Sequence, residues 1–258
     1  MSDATRFTRR GLLARAFAGA GALALTGCRR LSESTWFTRI LGAEEKATYA
    51  VQRLILPRKA LAREFTEADL SPRFRSNGTS MPRNFTYRAL AENGFADYRL
   101  QVDGLVERPG AFSLADIRAL PSRTQITRHD CVEGWSAIGK WQGARLSALL
   151  EAVKPSPEAR YVVFHCADPM EEDEQSFYYE SIDMEDAFHP QTILAYELDD
   201  RLLPIANGAP LRLRVERQLG YKMAKYVMRL EVVDDFSRIR GGKGGYWEDQ
   251  GYEWYAGI

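Results

Sequence analysis

The stretch Arg128-His129-Asp130-Cys131-Val132-Glu133-Gly134-Trp135 sets a thiol inside a polar run and leads into a Gly-rich, Trp-bearing segment that ends at Gly143. Such a run is poor core material. A thiolate is a strong ligand for a soft or high-valent metal, and a neighbouring cation such as Arg128 favours the deprotonated form. Free cysteine is also among the most buried residue types, so Cys131 packing as a small hydrophobe stands beside the metal reading. Downstream lies a second constellation, Asn207-Gly208-Ala209-Pro210-Leu211-Arg212, followed by Gly220-Tyr221-Lys222-Met223-Ala224-Lys225. Asn-Gly supplies a sharp turn, Arg212 can grip a phosphate bidentately, and the two lysines add point charge near Gly220. An ordinary hairpin with solvated charges accounts for the same spacing.

The surrounding pattern is one of short strands and brief helices. Tyr98, Leu100 and Val102 alternate before an Asp103-Gly104 turn, and Leu105-Val106 resumes, which predicts strand, turn and strand over 97–106. Ser113 followed by Leu114, Ile117 and Leu120 predicts a capped helix ended by Pro121, and Leu146 to Val153 predicts another before Pro155. Tyr161 to Phe164, Ile193 to Glu197, Leu202-Leu203, Leu211 to Val215 and Val227 to Val233 read as strands. Without regular alternation of strand and helix, the expectation is an α+β domain with a mixed sheet. Pro72 to Pro82, with Asn77-Gly78, is a turn-rich entry to that domain. The Gly241–Gly245 run and the aromatic residues Tyr246, Trp247, Tyr252, Trp254 and Tyr255 form a tail expected to pack back on it.

The 258 residues carry 35 basic and 35 acidic side chains and 45% hydrophobic residues, an ordinary globular composition that argues against nucleic acid as a partner. Residues 1–27 differ from the rest. Arg9-Arg10 precede a modest apolar stretch from Ala16 to Leu25, too short and weak for a membrane span, and Leu25-Thr26-Gly27-Cys28 resembles a bacterial lipobox. The expected layout is a twin-arginine export leader at 1–27, a tether and packing arm at 28–70 with helical spacing in Trp36, Ile40, Leu41, Val51, Leu54 and Ile55, and one catalytic domain at 71–258. Export would place the protein in the periplasm, with a lipid anchor at Cys28. A zinc site from His129, His165, His189, Cys131 and Cys166 lacks the usual spacings, and the glycine run lacks a nucleotide-loop ending. Glu171-Glu172-Asp173-Glu174 reads as a solvated acidic loop able to steer a basic redox partner.

Taken in this order and at this separation, Cys-Val-Glu-Gly-Trp, Asn-Gly-x-Pro-x-Arg and Gly-Tyr-Lys-x-x-Lys resemble the sulfite-oxidase-like molybdopterin oxidoreductases from about Phe74 to Val233. Within that family the nearest likeness is to the exported catalytic subunits of the periplasmic methionine-sulfoxide-reductase type. The resemblance implies that Cys131 ligates molybdenum beside the dithiolene sulfurs of the pterin. It implies that Asn207 and Arg212 hold the pterin and its phosphate, that Met223, Ala224 and Lys225 continue the cradle, and that Asn77 contacts the cofactor. Cys166 falls near a position where a small polar residue touches it, and Arg128 is expected to steady the metal's ligands by hydrogen bonding. Lys222 stands where sulfite-oxidising relatives usually carry an arginine of the oxyanion pocket, a catalytic position that fits a reductase better. Glu216 stands where the family often has proline.

The implied chemistry is oxygen-atom transfer at Mo-molybdopterin, reducing an S-oxide or N-oxide or, alternatively, oxidising sulfite. The sequence has no Cys-x-x-Cys-His haem signature, so a membrane cytochrome or quinol-linked subunit is expected to supply electrons. A non-catalytic envelope lipoprotein that binds an anion through Arg212 and Lys225 is the rival expectation.

Overall fold

The computed structural model describes residues 34–55, 57–171 and 176–258. The expected export leader, Cys28 and the acidic residues 172–174 lie outside the described residues. The chain divides into two compact units, Met1–Leu54 and Ile55–Ile258. Described residues of the first form helix α1 (Thr35–Ile55), on which Trp36, Val51 and Leu54 are exposed. Among the described residues no helix is long and apolar enough to cross a membrane.

The second unit carries two five-stranded sheets. One orders β2 (Gly110–Ser113), β1 (Arg99–Gly104), β10 (Val227–Val233), β5 (Tyr161–Pro169) and β6 (Phe177–Asp183). Its β1–β10 pair is parallel and its other pairs antiparallel, so the sheet is mixed and the class α+β. The other orders β3 (Ser122–Cys131), β4 (Trp135–Arg145), β7 (Ile193–Leu198) and β8 (Arg201–Leu202), with β9 (Arg212–Arg214) also paired to β7. Leu194 and Tyr196 of β7 join Val162, Phe164, Leu230 and the helix Leu146–Val153 in the main apolar cluster. Ile193 and Ala195, on the opposite face of β7, pack with Phe74 and Trp141 in a second cluster. Period-two alternation therefore feeds two cores from one strand.

Local chemistry explains where the elements begin and turn. The Ser113 hydroxyl accepts from the Asp116 N–H while the Asp116 carboxylate accepts from the Ser113 N–H, a capping box that opens the helix Leu114–Ala119. The second strand expected at Leu105-Val106 is instead a bend. Gly104 has φ +85° and turns the chain: the Leu105 N–H still donates to Val232 O at 2.7 Å, Val106 makes only an isolated bridge to Pro155, and β1 takes Gly110–Ser113 as its antiparallel neighbour. Part of the expected arm runs along β3: the Phe65 N–H donates to Ile126 O, and Ala62 exchanges hydrogen bonds with the Gln191 side chain. The aromatic tail packs on the sheets, with the Trp254 ring 5.4 Å from Tyr161 and Tyr252 5.3 Å from Tyr221.

Candidate functional site

β3 and β4 pair residue for residue from Ser122↔Ala144 to Cys131↔Trp135, and three residues close the hairpin. Gly134 has φ +81° and donates its N–H to Cys131 O at 3.0 Å, the left-handed position that a three-residue hairpin turn requires. Cys-Val-Glu-Gly-Trp is thus a turn that sets the Cys131 side chain at the mouth of a cleft of about 190 Å³. The cleft is closed by the loop at Asn77–Thr79, by Asp168 near the end of β5 and Met170 just beyond it, by the strap Gly220–Lys225 and by tail aromatics. Burial pushes the Cys131 thiol up, while the Glu133 backbone N–H and the charges of Arg212 and Arg75 act in favour of the thiolate. A bound metal would hold the sulfur deprotonated outright.

Beneath Cys131 lies a cradle of buried cations. Arg212 is fully buried; Nη1 donates to Asn207 O at 3.1 Å, Nη2 to Asn77 Oδ1 at 3.2 Å, and the guanidinium lies 5.3 Å from the Trp141 ring centroid. Its Nε meets no acceptor among the described residues, nor does the buried Asn207 Nδ2. Burial and the Arg214 charge pull Arg212 down to about 9, still protonated at neutral pH. Lys225 Nζ donates to Asn77 O at 2.6 Å, Ala206 O at 3.0 Å and Thr79 O, fixing the 77–79 loop over the strap. Burial and the Arg212 charge draw Lys225 down to about 7, and three carbonyl acceptors require the three N–H bonds of the ammonium form. Asp168 is buried with Oδ1 unpartnered, and burial raises its carboxyl to about 7.

The residues fit a pterin cofactor with a phosphate. Buried cations held by neutral carbonyls and an amide, with orphaned N–H groups beside them, are poised for an anion rich in acceptors. A single thiol at the mouth supplies a soft ligand.

The structure gathers Asn77, Cys131, Asn207, Arg212, Met223 and Lys225 around this cleft and cradle. Ala224 sits behind, where its carbonyl accepts from the Leu213 N–H at 2.8 Å and ties the strap to β9. Three expectations need correction. Arg128 points to the opposite face of β3 from His129 and Cys131, where its exposed side chain pairs with Asp130 at 2.9 Å, so Arg75 and Arg212 are the cations that act on the thiol. Cys166 is buried in the main core, its sulfur 4.0 Å from Phe164 O, away from the cleft wall. The Lys222 ammonium is fully buried between Glu180 and Glu248 (2.6 Å to the latter) and is neutralised there, so it presents no charge to a substrate.

Asp168, Arg75, His129 and the tail aromatics escaped sequence reasoning as site residues. The period-two placement of His129 and Cys131 on one face was the available signal for His129.

Residues 88–239, more than half the chain, match the family described as the oxidoreductase molybdopterin binding domain, and the chain belongs to that family. It is an oxidoreductase of the sulfite-oxidase-like fold with Mo-molybdopterin as its cofactor, which sets aside the non-catalytic rival. A chain of Azospira oryzae, provisionally named protein-methionine-sulfoxide reductase subunit YedZ1, is 38% identical over 251 residues, spanning 96% of this chain and 87% of that one. The protein-methionine-sulfoxide reductase catalytic subunit MsrP of Ralstonia nicotianae is 32% identical over 236 residues, 88% of this chain and 69% of that one. Among solved structures, the sulfane dehydrogenase SoxCD of Paracoccus pantotrophus superposes with a TM-score of 0.51 at 26% identity, covering 57% of this chain and 40% of that one.

Proposed function

We propose that the chain reduces a neutral S-oxide, of the methionine-sulfoxide class named for its relatives, at a molybdenum centre ligated by Cys131. The balance is R–S(=O)–CH3 + 2 e⁻ + 2 H⁺ → R–S–CH3 + H2O, and the bound cofactor supplies the two-electron, oxygen-atom-accepting chemistry. Asn77, Asn207, Arg212, Met223 and Lys225 would hold that cofactor, with Ala224 supporting the strap from behind. The observation that carries the reading is the character of the cleft at Cys131. Its walls include Val132, Met170, Tyr178, Trp247 and Tyr252, and the cation expected to receive an oxyanion, Lys222, is locked to two carboxylates elsewhere. An apolar aromatic wall suits a thioether oxide better than sulfite, a doubly charged anion.

In this reading the electrons come from a separate membrane cytochrome or quinol-linked subunit; the twin-arginine pair Arg9-Arg10 supports export to the bacterial periplasm, and the lipobox-like Leu25-Thr26-Gly27-Cys28 supports a lipid anchor at Cys28. Purified enzyme is expected to hold about one molybdenum per chain and to reduce sulfoxides with reduced viologen faster than it oxidises sulfite with a ferric acceptor. Cys131→Ser is expected to lose turnover by about a hundredfold or more while the chain stays folded. Faster sulfite oxidation would overturn the substrate, and an X-ray absorption spectrum with no sulfur beyond the dithiolene pair would overturn the ligand. Mass spectrometry of the N-terminal peptide from membrane fractions tests the anchor: an unmodified Cys28 there rules it out.

A further inference from the structure

His129 is two residues before Cys131 on the same face of β3 and is fully buried. Its Nδ1 lies 3.2 Å from Arg214 Nη1 and 3.2 Å from the Met223 sulfur. A guanidinium only donates, so Nδ1 accepts and the ring proton sits on Nε2. Arg214 has no freedom to do otherwise: Nε donates to Glu216 Oε1 at 2.8 Å and Nη2 to Glu216 Oε2 at 2.6 Å, in a pair with both side chains buried. Glu216 Oε1 also accepts from Gln125 Nε2 at 2.9 Å, so the pair is braced from β3 itself.

The Nε2–H that this arrangement fixes has no acceptor among the described residues. It is packed against Gly220 of the strap, where a Cβ would come within 2.5 Å of Nε2, and Gly220 lines the cleft. A buried N–H left without an acceptor is costly, and here a whole ion pair serves to keep it on that nitrogen.

We propose that His129 donates its Nε2–H to the bound molybdopterin, and that Arg214 and Glu216 are positioning residues that hold the imidazole in that tautomer. The inference rests on the cofactor occupying this cleft. A neutral donor two residues from the metal's thiolate ligand withdraws electron density from its acceptor without adding a charge. It both retains the cofactor and stabilises the reduced centre.

The test uses cofactor-loaded enzyme with 15N-labelled histidine. The chain has three histidines, so long-range proton–nitrogen spectra are tractable, and His129→Gln assigns the His129 signals by their loss. The expected result is the Nε2–H tautomer, with its proton resonance shifted downfield by an acceptor. The paired variant Arg214→Met with Glu216→Leu removes both charges together and is expected to release the ring into a mixture of tautomers. Variant enzymes supply a second readout. His129→Leu is expected to release cofactor roughly tenfold faster or more and to lower the molybdenum midpoint potential. His129→Gln, which still offers an N–H, is expected to fall near the parent enzyme. An Nδ1–H tautomer in the parent enzyme overturns the proposal without any variant having to fold. Leu and Gln variants that share the parent's potential and cofactor retention overturn it as well. Failure of the cofactor reading itself is seen separately, as parent enzyme made in a competent host without molybdenum.

Discussion

Arg212 and Lys222 are both fully buried cations, ten residues apart, and their surroundings are opposites. Lys222 sits between the carboxylates of Glu180 and Glu248, while Arg212 and its neighbour Lys225 lean on carbonyl oxygens and the Asn77 amide. A buried charge that meets its counter-charge within the chain is part of the scaffold. One that meets only dipoles, with an N–H left over, is arranged for a charge that arrives from outside. Sequence distance from a turn or a glycine does not separate the two, because both cations lie within the same segment, from Asn207-Gly208 to Gly220-Tyr221-Lys222.

The sharpest way to break this contrast is to remove each cation and ask what is lost. Arg212→Met is expected to cut the molybdenum-to-chain ratio by about tenfold or more, measured by metal analysis. The cofactor-free thermal midpoint should hold or rise, since a cation without a carboxylate partner has been taken out of the interior. Lys222→Met is expected to do the reverse. It leaves Glu180 and Glu248 facing each other without their ammonium, a loss of about 3–5 kcal/mol in denaturant unfolding, with molybdenum per folded chain retained. Equal loss of cofactor in both variants would dissolve the distinction.

Asp168 sharpens the comparison from the cradle side, because it is a carboxyl close enough to Lys225 to feel its charge and still rises to about 7 through burial. The native state therefore binds its proton more tightly than the unfolded chain, whose aspartate titrates near 3.8. The sign follows: stability falls as pH climbs from about 4 to about 7, because the unfolded chain gains by ionising first. Asp168→Asn is expected to remove that decline and gain on the order of 4 kcal/mol at pH 8, with little difference at pH 4. A variant whose pH–stability curve keeps the parent's slope would show that Asp168 ionises freely and that the cradle holds permanent negative charge.

The parts of the fold legible in the sequence were those where polarity and burial coincide. The helices Leu114–Ala119 and Leu146–Val153 pair apolar periodicity with a cap or a following proline, and the strands at Tyr161 and Val227 are apolar runs with buried residues. β3 was not legible, since its buried face carries Gln125, Thr127 and His129, which are solvated by Arg214 and Glu216 rather than by apolar contact. Polar alternation of that kind looks like a surface loop until the partner strand is in place. The same holds at the site. Asn77, Cys131, Asn207, Arg212 and Lys225 came from motif spacing and meet in space. Arg128 went to the other face through a one-residue step of the strand, and Lys222 was lost to Glu180 and Glu248, two carboxylates far from it in sequence.

The smallest expected effect probes the scaffold side. Two carboxylates and one ammonium, all ionised, would leave a net negative charge in the interior. Burial works against the Lys222 ammonium, yet the carboxylates hold it above its ordinary value, while burial and the Glu248 charge push Glu180 well up. Glu180 is therefore the carboxyl of the pair that holds a proton more tightly than an ordinary glutamate, and a proton there makes the cluster neutral. Glutamine is nearly isosteric with a protonated glutamate: its carbonyl can still accept from Lys222 and from the Ser181 N–H, which donates to Glu180 Oε1 at 2.8 Å. Glu180→Gln is accordingly expected to change stability by less than about 1 kcal/mol at pH 5. As pH rises above the unfolded glutamate value near 4.5, the parent loses stability because its native state holds a proton the unfolded chain has released, and the variant, which cannot titrate, does not. The two curves should therefore separate in the variant's favour toward pH 8. A Glu180→Gln loss as deep as that of Lys222→Met would mean that both carboxylates are ionised, and the cluster would then carry one negative charge more than the balance that makes it scaffold.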